Sequence, residues 1–89
     1  MAGFEKQKIL RNLVKLEKWL ILDDDFLELP VQRKILALEM LNDIIGTDSP
    51  SLDYNMKLCR RGPAAFTQFI HILIEKKQND IVVLLFSST

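Results

Sequence analysis

The chain has one cysteine, one histidine, three glycines and three prolines in 89 residues. A single cysteine, Cys59, excludes an intrachain disulfide framework and points to a reducing, cytosolic setting. With only His71 beside it, no metal-ligand spacing and no nucleophile–base–orienter set can be assembled. No glycine-rich phosphate loop is present. No stretch reaches the ~18 apolar residues of a membrane span. The N-terminal segment lacks the apolar run of a signal peptide. These absences predict a soluble, cytoplasmic, non-catalytic domain with no cofactor, metal or small-molecule substrate. His71 falls between Ile70 and Ile72, a position that suits a structural or surface role. Cys59 has basic neighbours that would lower its pKa, but a packed, inert thiol is the expected state.

What is there points to helices. Hydrophobic residues make up 48% of the chain and charged residues 27%, which excludes disorder and fits one folded domain spanning 1–89. Leu and Ile dominate, with Lys and Glu around them, and few residues break the chain. The spacing predicts six helical segments. The first covers about 5–20, with Leu10, Leu13, Val14, Leu16 and Leu20 on one side and Lys8, Arg11, Lys15 and Lys18 on the other. Asp23, Asp24 and Asp25 mark the start of a second, about 25–34. Pro30 predicts a kink near 26–29, or a helix that begins at Pro30 itself. A third covers about 38–45, with Leu38, Leu41, Ile44 and Ile45 on one face and Gly46 closing it in a left-handed conformation. No glycine or proline separates it from the second.

Ser49 and Pro50 read as the N-cap and first residue of a fourth helix, about 50–61. Leu52, Met56 and Cys59 would face inward there, and Lys57, Arg60 and Arg61 would face water. Gly62 and Pro63 close the fourth helix and open the fifth, where Phe66, Phe69, Ile70 and Leu73 form the clearest amphipathic stripe. Ile72 and Ile74 lie off that stripe, which predicts burial on more than one side. Asn79 is the expected N-cap of a last helix, about 80–86. Its apolar run also suits a strand, but a lone strand would have no partner. Trp19 and Tyr54 are candidate core anchors, with Trp19 half-buried.

The charges sum to zero but are ordered in blocks. Residues 1–20 hold five basic and two acidic side chains, residues 21–53 two basic and eight acidic, and residues 54–89 five basic and two acidic. This order predicts surfaces of opposite sign that can bind a like module.

Leu58-Cys59-Arg60-Arg61-Gly62-Pro63-Ala64-Ala65-Phe66-Thr67-Gln68-Phe69 resembles the junction between the fourth and fifth helices of caspase-recruitment domains (CARDs). The Gln78-Asn79-Asp80-Ile81-Val82-Val83-Leu84-Leu85 segment resembles that family's closing helix, and Ile35-Leu36 its apolar pair between the second and third helices. Two features depart from the family: the segment between Gly46 and Gly62 is about a turn short, and Pro30 falls within the second helix. A pyrin or death-effector domain shares the superfamily fold, but the Arg-Gly-Pro-Ala-Ala-Phe stretch favours CARD.

The resemblance implies an all-α, six-helix antiparallel Greek-key bundle, the death fold, often with its first helix bent into two parts. It implies binding between CARDs, with a basic patch on the first and fourth helices set against an acidic patch on the second and third. Lys8, Arg11, Lys15, Lys57, Arg60 and Arg61 would form the basic side. Asp23, Asp24, Asp25, Glu28, Glu39 and Asp43 would form the acidic side. The implied partner is a CARD-containing caspase or adaptor, or another copy of the chain. A start at Met1 fits the N-terminal CARD of an initiator caspase or an Apaf-type adaptor, and apoptotic caspase activation is the expected setting. A stand-alone decoy CARD is the alternative within this class. Nucleic-acid binding is a distant one, because the net charge is zero and the acidic block repels phosphates.

Overall fold

The computed structural model describes residues 3–62 and 64–87. Within them the chain forms seven α-helices and no strand: α1 (Gly3–Arg11), α2 (Leu13–Trp19), α3 (Asp24–Gln32), α4 (Leu38–Gly46), α5 (Pro50–Cys59), α6 (Ala64–Glu75) and α7 (Asn79–Ser87). The expected last helix is therefore a helix. The role expected of Pro63 in opening α6 lies outside the described residues.

One expected helix is two. The break falls at Asn12, whose backbone N–H turns to the Ile9 carbonyl (3.1 Å). The Asn12 side-chain amide takes its place by donating to the Lys8 carbonyl at 2.7 Å. A short amide side chain thus competes with the helical ladder, and α2 restarts with Leu16 N–H bonding to the Asn12 carbonyl. The break also changes the register. Ile9, Leu16 and Leu20 are buried, whereas Val14, expected on the apolar side, is 67% exposed.

The acids before α3 act as expected. Asp23 caps the helix by accepting from Phe26 N–H at 2.8 Å, and Asp24 and Asp25 fill its first turn. Pro30 neither starts the helix nor stops it at once. It lies buried inside α3, two residues before the end, and its carbonyl accepts from both Ile35 and Leu36 N–H. At the other punctuation marks, Pro50 stands at the start of α5 after Ser49, whose carbonyl accepts from Asp53 N–H at 3.1 Å. The Ser49 side chain itself makes no cap bond.

The expected glycine caps are absent, and lysines take that part. No described glycine has a positive φ, and Gly46 is simply the last residue of α4. The left-handed positions are Lys34 (φ 60°) and Lys77 (φ 59°). Each closes a helix with the same pair of bonds. After α3, Ile35 N–H bonds to the Pro30 carbonyl (2.8 Å) and Lys34 N–H to that of Val31 (3.1 Å). After α6, Gln78 N–H bonds to the Leu73 carbonyl (2.8 Å) and Lys77 N–H to that of Ile74 (3.1 Å). This is the Schellman arrangement, and it separates α3 from α4 without glycine or proline.

The helices enclose one hydrophobic core. Tyr54 from α5 meets Phe26 from α3 edge to face, with ring centroids 5.8 Å apart, and Phe69 from α6 at a tilt, 5.7 Å apart. Helix α5 packs against α1, α2, α4 and α6, and α3 packs against α4 and α6. Helix α6 is covered on two sides, as expected, with Ile72 buried beside Phe66, Phe69 and Leu73, while Ile74 is exposed. The inward face of α5 differs from expectation. Ser51, Tyr54, Asn55 and Leu58 are buried with Cys59, and Leu52 points out. On α4, Leu41 and Ile44 are buried, but Leu38 and Ile45 are each 61% exposed.

A side-chain amide joins two connections far apart in the chain. Gln78 accepts from Ile21 N–H and donates to the Ile21 carbonyl, both at 3.0 Å, so it pairs with the α2–α3 connection as a strand would. Gln78→Ala should lower stability by about 1–2 kcal/mol, because two backbone groups lose their partner at a partly buried position. Lys77→Gly should raise stability by about 0.5–1 kcal/mol, since glycine enters the left-handed region without strain. Urea unfolding of both variants checks the pair, and a loss of stability in Lys77→Gly would contradict the left-handed cap.

Candidate functional site

The candidate charged residues lie on two sets of packed helices. Lys8 and Arg11 are on α1, Lys15 on α2 and Lys57 on α5, with Arg60 and Arg61 just beyond its end. Helices α1 and α2 both pack on α5. Asp24, Asp25 and Glu28 are on α3, Asp23 caps it, and Glu39 and Asp43 are on α4. Helices α3 and α4 also pack together, and α4 packs on α5, so the two sets adjoin.

Not every one of these charges faces water alone. Arg11, Lys15 and Arg60 are exposed, as are Asp24, Glu28, Glu39 and Asp43. Lys57 is committed to Asp53 on its own helix, with both carboxylate oxygens at 2.7 Å. Lys8 is partly covered, its ammonium 5.7 Å from the centre of the Phe86 ring, within cation–π range. Asp25 faces Lys76 of α6 at 3.9 Å, and Asp23 is used by its own helix.

Arg61 has unforeseen company. It lines an open pocket of about 210 Å³ together with Arg33 and Lys34. Those two are the only bases in the acidic stretch 21–53. The remaining lining comes from Ile35, Gly62, Ala64, Ala65 and Gln68. Arg33 also bonds to Glu75 at the end of α6, and this bond holds the Glu75 carboxyl below its ordinary range. The sequence signal for Arg33 and Lys34 was their isolation among acids. Periodicity carries no hint that they meet Arg61.

The other singled-out residues have structural surroundings. Burial pushes the Cys59 thiol up, against a smaller opposing pull from Lys6, so the thiol is packed and its protonated form favoured. His71 is exposed on α6. Trp19 is 50% exposed at the end of α2. Among the described residues no group of three or more His, Cys, Asp or Glu is placed to hold a metal ion, and no helix is long and apolar enough to cross a membrane.

Polar groups inside the core fix α5 in place. Ser51 Oγ donates to the Leu16 carbonyl of α2 at 3.0 Å, and Asn55 Nδ2 donates to the Ser51 carbonyl at 2.7 Å. The Tyr54 hydroxyl and Asn55 Oδ1 are buried and have no hydrogen-bond partner among the described residues. Burial pushes the Tyr54 phenol far above its ordinary range.

Comparison of the chain with known protein families, curated proteins and solved structures gave no match.

An unpartnered buried hydroxyl carries a desolvation cost that its removal relieves. Tyr54→Phe should therefore leave stability unchanged or raise it by about 1 kcal/mol, with both ring contacts kept. Thermal and chemical unfolding read this, and a drop beyond 1 kcal/mol would mean that the hydroxyl has a partner after all.

Proposed function

We propose that this chain is a CARD-type death-fold module that binds other CARDs and has no catalytic role. In this reading α1 and α2 are the two parts of one bent first helix, so that seven helices correspond to the six of a Greek-key bundle. The module recruits a caspase or adaptor, or another copy of itself, into a cytoplasmic assembly for apoptotic signalling.

The observation that carries the reading is the sorting of charge by helix. The helices bearing Arg11, Lys15 and Lys57 are packing neighbours, and so are the helices bearing Asp24, Glu28, Glu39 and Asp43. The Arg60-Arg61-Gly62-Pro63-Ala64-Ala65-Phe66 resemblance lends it a family. Unlike patches on one molecule meet head to tail, and such contacts propagate into rings or helical filaments. A single exposed ion pair contributes only about 0–1 kcal/mol, so recognition needs several together. Their joint effect is to steer association and to reject partners of the wrong sign. The residues with the strongest claim are those exposed to water: Arg11, Lys15 and Arg60 on one side, Asp24, Glu28, Glu39 and Asp43 on the other.

Reversing Arg11 or Arg60 to Glu should abolish binding to a CARD partner while helicity by circular dichroism stays at the parent level. Binding by the parent chain should weaken as sodium chloride rises, because salt screens exposed charges beyond ~8–10 Å. Pulldown against a panel of CARDs and light scattering of the isolated chain provide the readouts. Capture of duplex DNA at low salt, with every CARD ignored, would replace this reading with nucleic-acid binding.

A further inference from the structure

The pocket beside Arg61 has a chemistry of its own. Arg33 closes α3, Lys34 follows in its left-handed turn, and Arg61 arrives from beyond the end of α5. Three cations from two separate connections therefore line about 210 Å³; Arg33 is also paired with Glu75, whose carboxylate is not among the described lining residues. A site lined mainly by one sign concentrates the opposite ion. Helix α6 begins at the same pocket through Ala64 and Ala65, adding the positive end of a 12-residue helix to the side-chain charge. Gln68, one turn along, supplies a neutral amide. The volume is below the ~300–1,000 Å³ of pockets for drug-sized ligands, so the ligand is small. Arginine forks and a lysine point charge together match the oxygens of a phosphoryl group.

We infer that this pocket is a binding site for a small, soluble phosphate-bearing anion, held by Arg33, Lys34 and Arg61 at the start of α6. The inference stands independently of the interaction reading. Of the basic residues assigned there, only Arg61 lines the pocket.

The probes are inorganic phosphate and pyrophosphate, added to the full chain at constant ionic strength with sodium chloride as the balancing salt. Backbone amide shifts and the melting temperature are followed. Pyrophosphate should give saturable shifts centred on Lys34, Ile35, Ala65 and Gln68 and a rise in melting temperature, since a ligand that binds only the folded state stabilises it. Phosphate should do the same more weakly. Lys34→Gln should weaken pyrophosphate binding about tenfold, the usual effect of losing one charge-assisted bond. Ala64→Asp should abolish it. That variant places a carboxylate at the pocket yet suits the first turn of a helix, so its fold is retained and is checked by circular dichroism. Absence of saturable binding would overturn the inference, as would equal shifts with chloride, or unchanged affinity in both Lys34→Gln and Ala64→Asp. Capture by phosphatidylcholine vesicles containing phosphatidic acid, without binding of free pyrophosphate, would assign the phosphate to a lipid headgroup and overturn the small-anion assignment.

Discussion

No helix in this chain holds together by itself. Their lengths run from seven residues in α2 to 12 in α6. Isolated helices below ~12–15 residues are marginal in water, because the first turn fixes several residues for one hydrogen bond. Helical structure therefore depends on mutual burial, and that burial converges on α5. It packs against four other helices and brings Tyr54 between Phe26 and Phe69. The central helix is not the most apolar one. It buries Ser51 and Asn55 along with its hydrophobic side chains, and the Ser51 bond to Leu16 ties its rotation to α2. A hydrocarbon face alone would tolerate sliding, whereas a directional bond in a low-dielectric interior favours one setting.

The connections follow the same economy. Short helices in a small bundle need abrupt ends, yet the chain has few glycines and none of the described ones takes a left-handed conformation. Lysines at 34 and 77 take that conformation instead, each inside a paired set of backbone bonds that satisfies the last carbonyls of a helix. The second of these turns places Gln78 where its amide can pair with both backbone groups of Ile21. A strained backbone position and a long-range tie are thus adjacent in sequence.

Charge is arranged on this frame at two scales. Local pairs such as Lys57–Asp53 and Arg33–Glu75 neutralise some side chains and pin others. Beyond them, the candidate bases lie on α1, α2 and the end of α5 and the candidate acids on α3 and α4, with α5 packed on α4 as well as on α1 and α2. Exposed pairs add little to stability, so this sorting has more consequence for association than for folding. Arg33 and Lys34 run against the sorting, because the turn that ends α3 carries both of them to Arg61 and away from the acids that surround them in sequence. A small protein can in this way carry both a broad charged surface and a compact cationic pocket.

The sequence by itself determined the helical class, most helix positions and several of their signals. Apolar spacing at Phe66, Phe69 and Leu73 marked α6, the aspartates marked the start of α3, and Pro50 marked that of α5. These are local properties, set by which side chains lie within one or two turns of each other. The break at Asn12 was also a local event; the family resemblance allowed a bent first helix, but periodicity did not place the bend, because one short polar residue inside a helical pattern does not announce that it will compete with the backbone. The covered faces were not legible. Val14, Leu38, Ile45 and Leu52 continue apolar stripes yet stand in water, while Ser51 and Asn55 are buried. Which part of a stripe is covered depends on the number and placement of neighbouring helices, and those contacts join residues far apart in the chain. For the same reason only the tertiary structure brought Arg61 beside Arg33 and Lys34.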